Sequence, residues 1–163
     1  MTETNPQASS NVNYKGIPYY QSQLNQFIQT FSQAVNNIFK SGYVSDAKTE
    51  DAANKGIALF VVGDNSKTLT ASTVSVNSEL LKDANKLATK TTVSEGEGSA
   101  SIMDKLNALQ KERLFDGGTG SYFLETIVSD MSIDASKAKT FLTNYNNMKT
   151  VSYTHLRAHE TSL

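Results

Sequence analysis

"IPYYQSQLNQFIQTFSQAVNNIFKSG", residues 17–42, sets the fold class of this chain. Leu24, Ile28, Phe31, Val35 and Ile38 recur at spacings of 4, 3, 4 and 3. That period draws one stripe along a helix, whereas a strand repeats every second residue. Phe27 and Ala34 widen the stripe, and Gln21, Gln23, Gln29, Gln33 and Asn37 fill the remaining faces. Pro18 suits a first helical turn, where its missing N–H would have no partner anyway. Gly42 is a natural terminator. The spacing therefore predicts a long helix. Leu24, Phe27, Ile28, Phe31, Val35 and Ile38 are its candidate packing and interaction residues, buried in their own domain or against another subunit.

Outward from this helix the period changes. Residues 1–16 are polar, carry Pro6 and end at Gly16, as a linker would. "DAKTEDAANKG" (46–56) reads as a loop. "IALFVV" (57–62) is a short apolar run, "GDNSK" (63–67) has turn chemistry, and "TLTASTVSVN" (68–77) alternates. Two such runs around a Gly/Asp/Asn turn predict a β-hairpin. "SELLKDANKLATK" (78–90) reads as a short helix with Asn77 or Ser78 as its cap. "SIMDKLNALQKERLF" (101–115) reads as another, with Ser101 and Asp104 as a capping-box pair and Ile102, Leu106 and Leu109 as its apolar face. After the "DGGTGS" loop, a helical pattern runs from Tyr122 to about Lys149. Phe123, Ile127, Met131, Ala138, Phe141, Tyr145 and Met148 mark it, and "MSID" at Asp134 suggests a local break. The expected fold is mainly α: long heptad-patterned helices with one small β-hairpin element.

Composition narrows the chemistry. The chain has 163 residues, a net charge of −1 and no cysteine. One domain with a real core fits that length. Disulfides, thiolate nucleophiles and cysteine zinc sites are excluded. No Lys/Arg cluster marks a nucleic-acid partner, and no apolar run approaches the ~18 residues of a membrane span. The "DGGTGS" loop lacks the Lys-Ser/Thr of a phosphate loop, and "GDNS" lacks spaced calcium ligands. No carboxylate pair stands out as an acid/base couple. No cofactor is expected.

Both histidines of the chain, His155 and His159, stand four apart in "VSYTHLRAHETSL" (151–163), a spacing that would place two imidazoles on one face of a helix. This stretch has no apolar periodicity and is expected to break the preceding helix. From Val151 to Thr161 it is also similar, codon for codon, to the translation of a transposase-type sequencing adapter. On that reading residues 151–163 are not native structure, the metal pair dissolves, and the natural helix is expected to continue beyond Thr150.

"GIPYYQSQLNQFIQTFSQAVNNIF" resembles the C-terminal half of the flagellar hook-associated protein 1 family. There a segment of the type Y-x-x-x-L-N-x-F-x-x-x-F-x-x-x-V-N leads the chain back into a helical shaft domain. Tyr20, Leu24, Asn25, Phe27, Phe31, Val35 and Asn36 occupy those positions. "LTASTVSVNSELLKDANKLAT", "SASIMDKLNALQ" and "GSYFLETIVSDMSIDASKAK" are similar to the strand and helices that follow, so the resemblance spans roughly residues 14–149. The family's N-terminal shaft helices and its C-terminal "SGV…DEE" segment have no counterpart here, so Met1 is expected to be an internal start. The resemblance implies residues 17–150 as part of a shaft domain and a structural protein rather than an enzyme, at the junction between flagellar hook and filament. It implies export through the flagellar secretion channel to the cell exterior. Its partners would be copies of itself, neighbouring hook and junction proteins, and an export chaperone for the full-length protein. Two other readings stand beside it: another flagellar axial protein, such as flagellin or the second junction protein, and a metal-dependent enzyme using the tail histidines.

Overall fold

The structure, a computed structural model, describes residues 15–63 and 68–160. The linker up to residue 14, most of the expected hairpin turn and the last three residues lie outside that range.

The decisive stretch forms α1 (Ile17–Ser41), with Pro18 in its first turn. Gly42 ends it, donating its N–H to the Phe39 carbonyl at 3.2 Å. The ending is not the left-handed glycine cap: Gly42 is extended, at φ −89°. What Gly42 supplies is room. A Cβ there would lie 2.5 Å from Ile102 Cδ1 and 2.9 Å from the Lys90 carbonyl oxygen.

The buried face of α1 is Ser32, Val35 and Phe39. It is turned by about 50°, half of one residue's step, from the expected stripe of Leu24, Ile28, Phe31, Val35 and Ile38, and the two share Val35. Phe27, Ile28, Phe31 and Ile38 are half-buried flanks of that face, and Leu24 is 38% exposed.

The expected hairpin is present as β2 (Phe60–Val62) and β3 (Val74–Val76), antiparallel, with Phe60 opposite Val76 and Val62 opposite Val74. A second two-stranded sheet joins β1 (Tyr43–Val44) to β4 (Ala88–Lys90), also antiparallel. Residues 84–90 therefore depart from the helix expected there. Only α2 (Ser78–Lys82) is α-helical, capped by Asn77, whose side chain accepts from the Glu79 N–H. A short 3₁₀ turn, Ala84–Lys86, follows, and the chain then extends into β4. Ala88 and Lys90 are buried while Thr89 between them is half-buried, the period-2 pattern of a strand.

The next helix, α3 (Ser101–Leu109), does not use Ser101 as its cap; Ala100 holds that position without a side-chain bond. A tight turn follows, in which Asp116 (φ 41°) and Gly117 (φ 85°) take left-handed conformations and Phe115 bridges to Gly118. The last helix, α4, runs from Gly120 to Glu160. The break suggested at "MSID" is absent, and residues 151–160, expected to interrupt the helix, continue it. Neither glycine nor proline stands between Ser121 and Leu163, and Leu156, Arg157, Ala158 and Glu160 all favour helix.

Among the described residues the fold is mainly α, with two small sheets. The chain forms two compact units, residues 1–125 and 126–163. In the first, the core joins Val35 and Phe39 of α1, Ala88 of β4, and Ile102 and Leu109 of α3. Ile102 and Ala88 are 0% exposed. A smaller cluster holds Tyr43, Val44 and Ala47. The second unit continues α4, and its residues 135–157 are exposed throughout.

Candidate functional site

α1 carries two working faces. The apolar one lines a groove of about 670 Å³ in the first unit, with Phe27, Phe31 and Val35 on one wall and Leu106, Leu109 and Phe115 on the other. Aromatic rings run continuously along it. Phe27 stacks on Phe31 at 5.7 Å between centroids and on Phe115 at 5.2 Å. Phe115 in turn stacks on Phe123 at 4.9 Å, and Phe31 leans on Phe60 at 6.1 Å. Offset rings at such distances add to simple area burial. Rings on α1, β2, the turn after α3 and the start of α4 thus tie four segments together.

Of the residues singled out for packing, Phe27, Phe31 and Val35 meet in this groove. Ile38 packs on the core, and Ile28 is half-buried outside the groove wall. Leu24 lines a separate small hollow with Asn25, Thr70 and Ala71. Phe39 and Ser32 escaped the sequence reading. The signal was present: Ser32, Val35 and Phe39 repeat at 3 and 4, but Ser32 is polar and was not counted in a stripe.

The second face of α1 is polar and grips the hairpin. Asn36 Nδ2 donates to the Phe60 carbonyl at 2.8 Å, and the Phe60 N–H donates to Asn36 Oδ1 at 2.9 Å. One side-chain amide thereby pairs with both backbone groups of a strand residue, as a neighbouring strand would. Gln29 Nε2 donates to the Leu69 carbonyl at 2.9 Å, and the Ala71 N–H donates to Asn25 Oδ1 at 2.9 Å. Asn25, Gln29 and Asn36 are spaced 4 and 7, which aligns them on one side of the helix.

A third feature is the loop between β4 and α3. The Glu95 carboxylate accepts from the hydroxyls of Ser101, Ser99 (2.5 Å), Thr91 and Thr92 (3.1 Å), and from the backbone N–H groups of Thr91 (3.2 Å) and Thr92 (3.0 Å). Hydroxyl donors, with Ser101 first, then Ser99 and Thr91, hold the Glu95 pKa far below the usual carboxylate range, against a smaller opposing effect of burial. Next to it Lys90, 2% exposed, directs its ammonium at the Ala47 carbonyl (3.0 Å) and the Glu95 carbonyl (3.3 Å). These contacts pin the 91–101 loop to the β1–β4 sheet. They use up the carboxylate's acceptor capacity, so the loop reads as a structural knot.

His155 is exposed on α4. Among the described residues no group of three His, Cys, Asp or Glu is placed to hold a metal ion. No helix among them is long and apolar enough to cross a membrane. Compared with protein-family models, curated proteins and solved structures, the chain matches none of them.

Proposed function

We propose that this chain is a structural component of the bacterial flagellum, acting at the hook–filament junction by packing of helices rather than by catalysis. The observation that carries the reading is the double use of α1. The segment that resembles hook-associated protein 1 has apolar positions at Leu24, Phe27, Phe31 and Val35 and asparagines at Asn25 and Asn36. Phe27, Phe31 and Val35 line one groove. Both asparagines bond the hairpin backbone. The residues of the resemblance thus correspond to two physical tasks, building an apolar packing surface and orienting a hairpin on it. Neither task involves a reacting group. On this reading the protein works outside the cell, among copies of itself and adjacent hook and junction proteins, with an export chaperone for the longer protein.

Hook–basal bodies from the bacterium that encodes the chain provide the test. Gold-labelled protein should decorate the distal tip of the hook under electron microscopy. Labelling spread along the hook or filament would favour another axial protein, and absence of labelling would overturn the junction reading.

A further inference from the structure

The exposed length of α4 repeats the 3-and-4 alternation of α1, here on side chains that stay exposed. Val128, Met131, Ala135, Ala138, Leu142 and Tyr145 follow one another at spacings of 3, 4, 3, 4 and 3. That is the spacing a coiled-coil seam requires. All six side chains are exposed, with Val128 at 63%, Met131 at 44%, Leu142 at 60% and Tyr145 at 62%. The seam excludes Ile127, the buried residue of this segment. A helix draws most of its stability from packing an apolar face, and this face has no cover among the described residues.

Two properties of the sequence choose the occupant. The spacing reads the same from either end. Run against a reversed copy of itself, Val128 falls opposite Tyr145, Met131 opposite Leu142, and Ala135 opposite Ala138. Each outer layer combines a larger with a smaller or a straight with a branched side chain, and the alanines at the centre let the backbones approach. A parallel pair would instead set Tyr145 on Tyr145. Charge makes the same choice. From Gly120 to Ala135 the helix carries Glu125, Asp130 and Asp134 and no base; from Ser136 to Thr150 it carries Lys137, Lys139 and Lys149 and no acid. The helix dipole explains such a gradient only within the terminal turns, whereas Asp134, Lys137 and Lys139 are central. The intrahelical pair Lys137–Asp134 is long, at 3.9 Å, with Lys137 exposed and Asp134 half-buried, so it is weak. Antiparallel pairing lays each acidic half beside a basic half; parallel pairing stacks like on like.

We infer that the chain self-associates through α4 as an antiparallel, two-fold symmetric helix pair centred between Ser136 and Lys137, a property independent of the flagellar reading. Such self-complementary contacts are the rule for symmetric dimers.

The chain has no cysteine, so single cysteines report the pairing directly. The full chain carrying Val128→Cys is mixed with the full chain carrying Tyr145→Cys, one of them mass-tagged, and oxidised mildly. The mixed disulfide should predominate over both like-with-like products, and sedimentation should give a dimer that weakens as salt is raised. Met131→Glu added to both should abolish the cross-link. Ser136→Glu, on the opposite side of the helix, should leave it in place and so controls for general damage to the helix. A predominance of Val128-to-Val128 disulfide, a merely statistical mixture, or a monomer by sedimentation would each overturn the inference.

Discussion

The Glu95 carboxylate accepts hydrogen bonds from four hydroxyls and two backbone N–H groups, and its protonation should weaken the fold. Its carboxylate is stabilised in the charged form by Ser101, Ser99 and Thr91. A folded pKa below the unfolded one, about 4.3 for glutamate, gives stability that is fully present above the unfolded value and lost as pH falls beneath it. Between pH 7 and pH 3 the wild type should therefore lose more melting temperature than Glu95→Gln does; equal losses would remove Glu95 from the acid response. Close packing makes a sharper residue-scale comparison. At Gly56 a Cβ would lie 2.5 Å from the Phe39 carbonyl oxygen and 3.0 Å from the Ala88 nitrogen, backbone atoms that cannot step aside. Gly96 has nothing within 4 Å. Gly56→Ala should cost about 1–3 kcal/mol, the range of overpacked sites, and Gly96→Ala close to nothing. Denaturant midpoints for the two variants decide it. Ile102, at 0% exposure, should cost about 2–5 kcal/mol when cut to alanine, and more than the same change at half-buried Phe31.

Among the elements, α1 was legible because everything that defines it is local: the period, Pro18 in the first turn and Gly42 at the end. The sequence gives its polar residues no partner: Gln29 only fills a remaining face, and Asn25 and Asn36 stand out only as positions of the resemblance. That Asn25, Gln29 and Asn36 bond a hairpin depends on Phe60, Leu69 and Ala71, which lie 24, 40 and 46 residues along the chain. β4 was missed for the same reason. "LATK" is short and contains good helix formers, and only its pairing with Tyr43 and Val44 makes it a strand. The local motif at Ser101 and Asp104 predicts a cap, yet the Ser101 hydroxyl donates to Glu95 instead. α4 beyond Thr150 went the other way. The aperiodic tail promised a break, but with no glycine or proline to stop it the helix runs to Glu160. The Asn36 clamp can be tested at this scale. Asn36→Ala removes both bonds and leaves the Phe60 N–H and carbonyl, half-buried, without their partner. The loss should be about 1–3 kcal/mol, the cost of unsatisfied buried polar groups. Asn37→Ala, one position round the helix on an exposed site, should be nearly silent. A chemical-denaturation pair with equal midpoints would show that the hairpin does not depend on this amide.

At the scale of the whole molecule, the two units should differ in what holds them. In the first unit a core is buried around Ile102 and Ala88. Backbone amides there should exchange with solvent deuterium at rates independent of protein concentration. In the second unit residues 135–157 have every side chain exposed, and isolated helical stretches of this kind are marginal in water. Several hydroxyls along it, among them Thr140, Thr143 and Thr150, bond back to carbonyls four residues earlier. That satisfies the hydroxyls without adding packing, and it slightly weakens the helix. Such a segment can gain protection only from something laid against it. If that something is a second copy, dilution must remove it, because mass action links pairing to concentration. Exchange of the amides between Val128 and Tyr145 should therefore slow as concentration rises through the dimerisation range, while those of α3 stay constant. Met131→Glu should hold the segment at its fast, dilute rate at every concentration. Protection that is high and independent of dilution would mean that α4 is stabilised within one chain, and the exposed seam would then need no second copy to explain it.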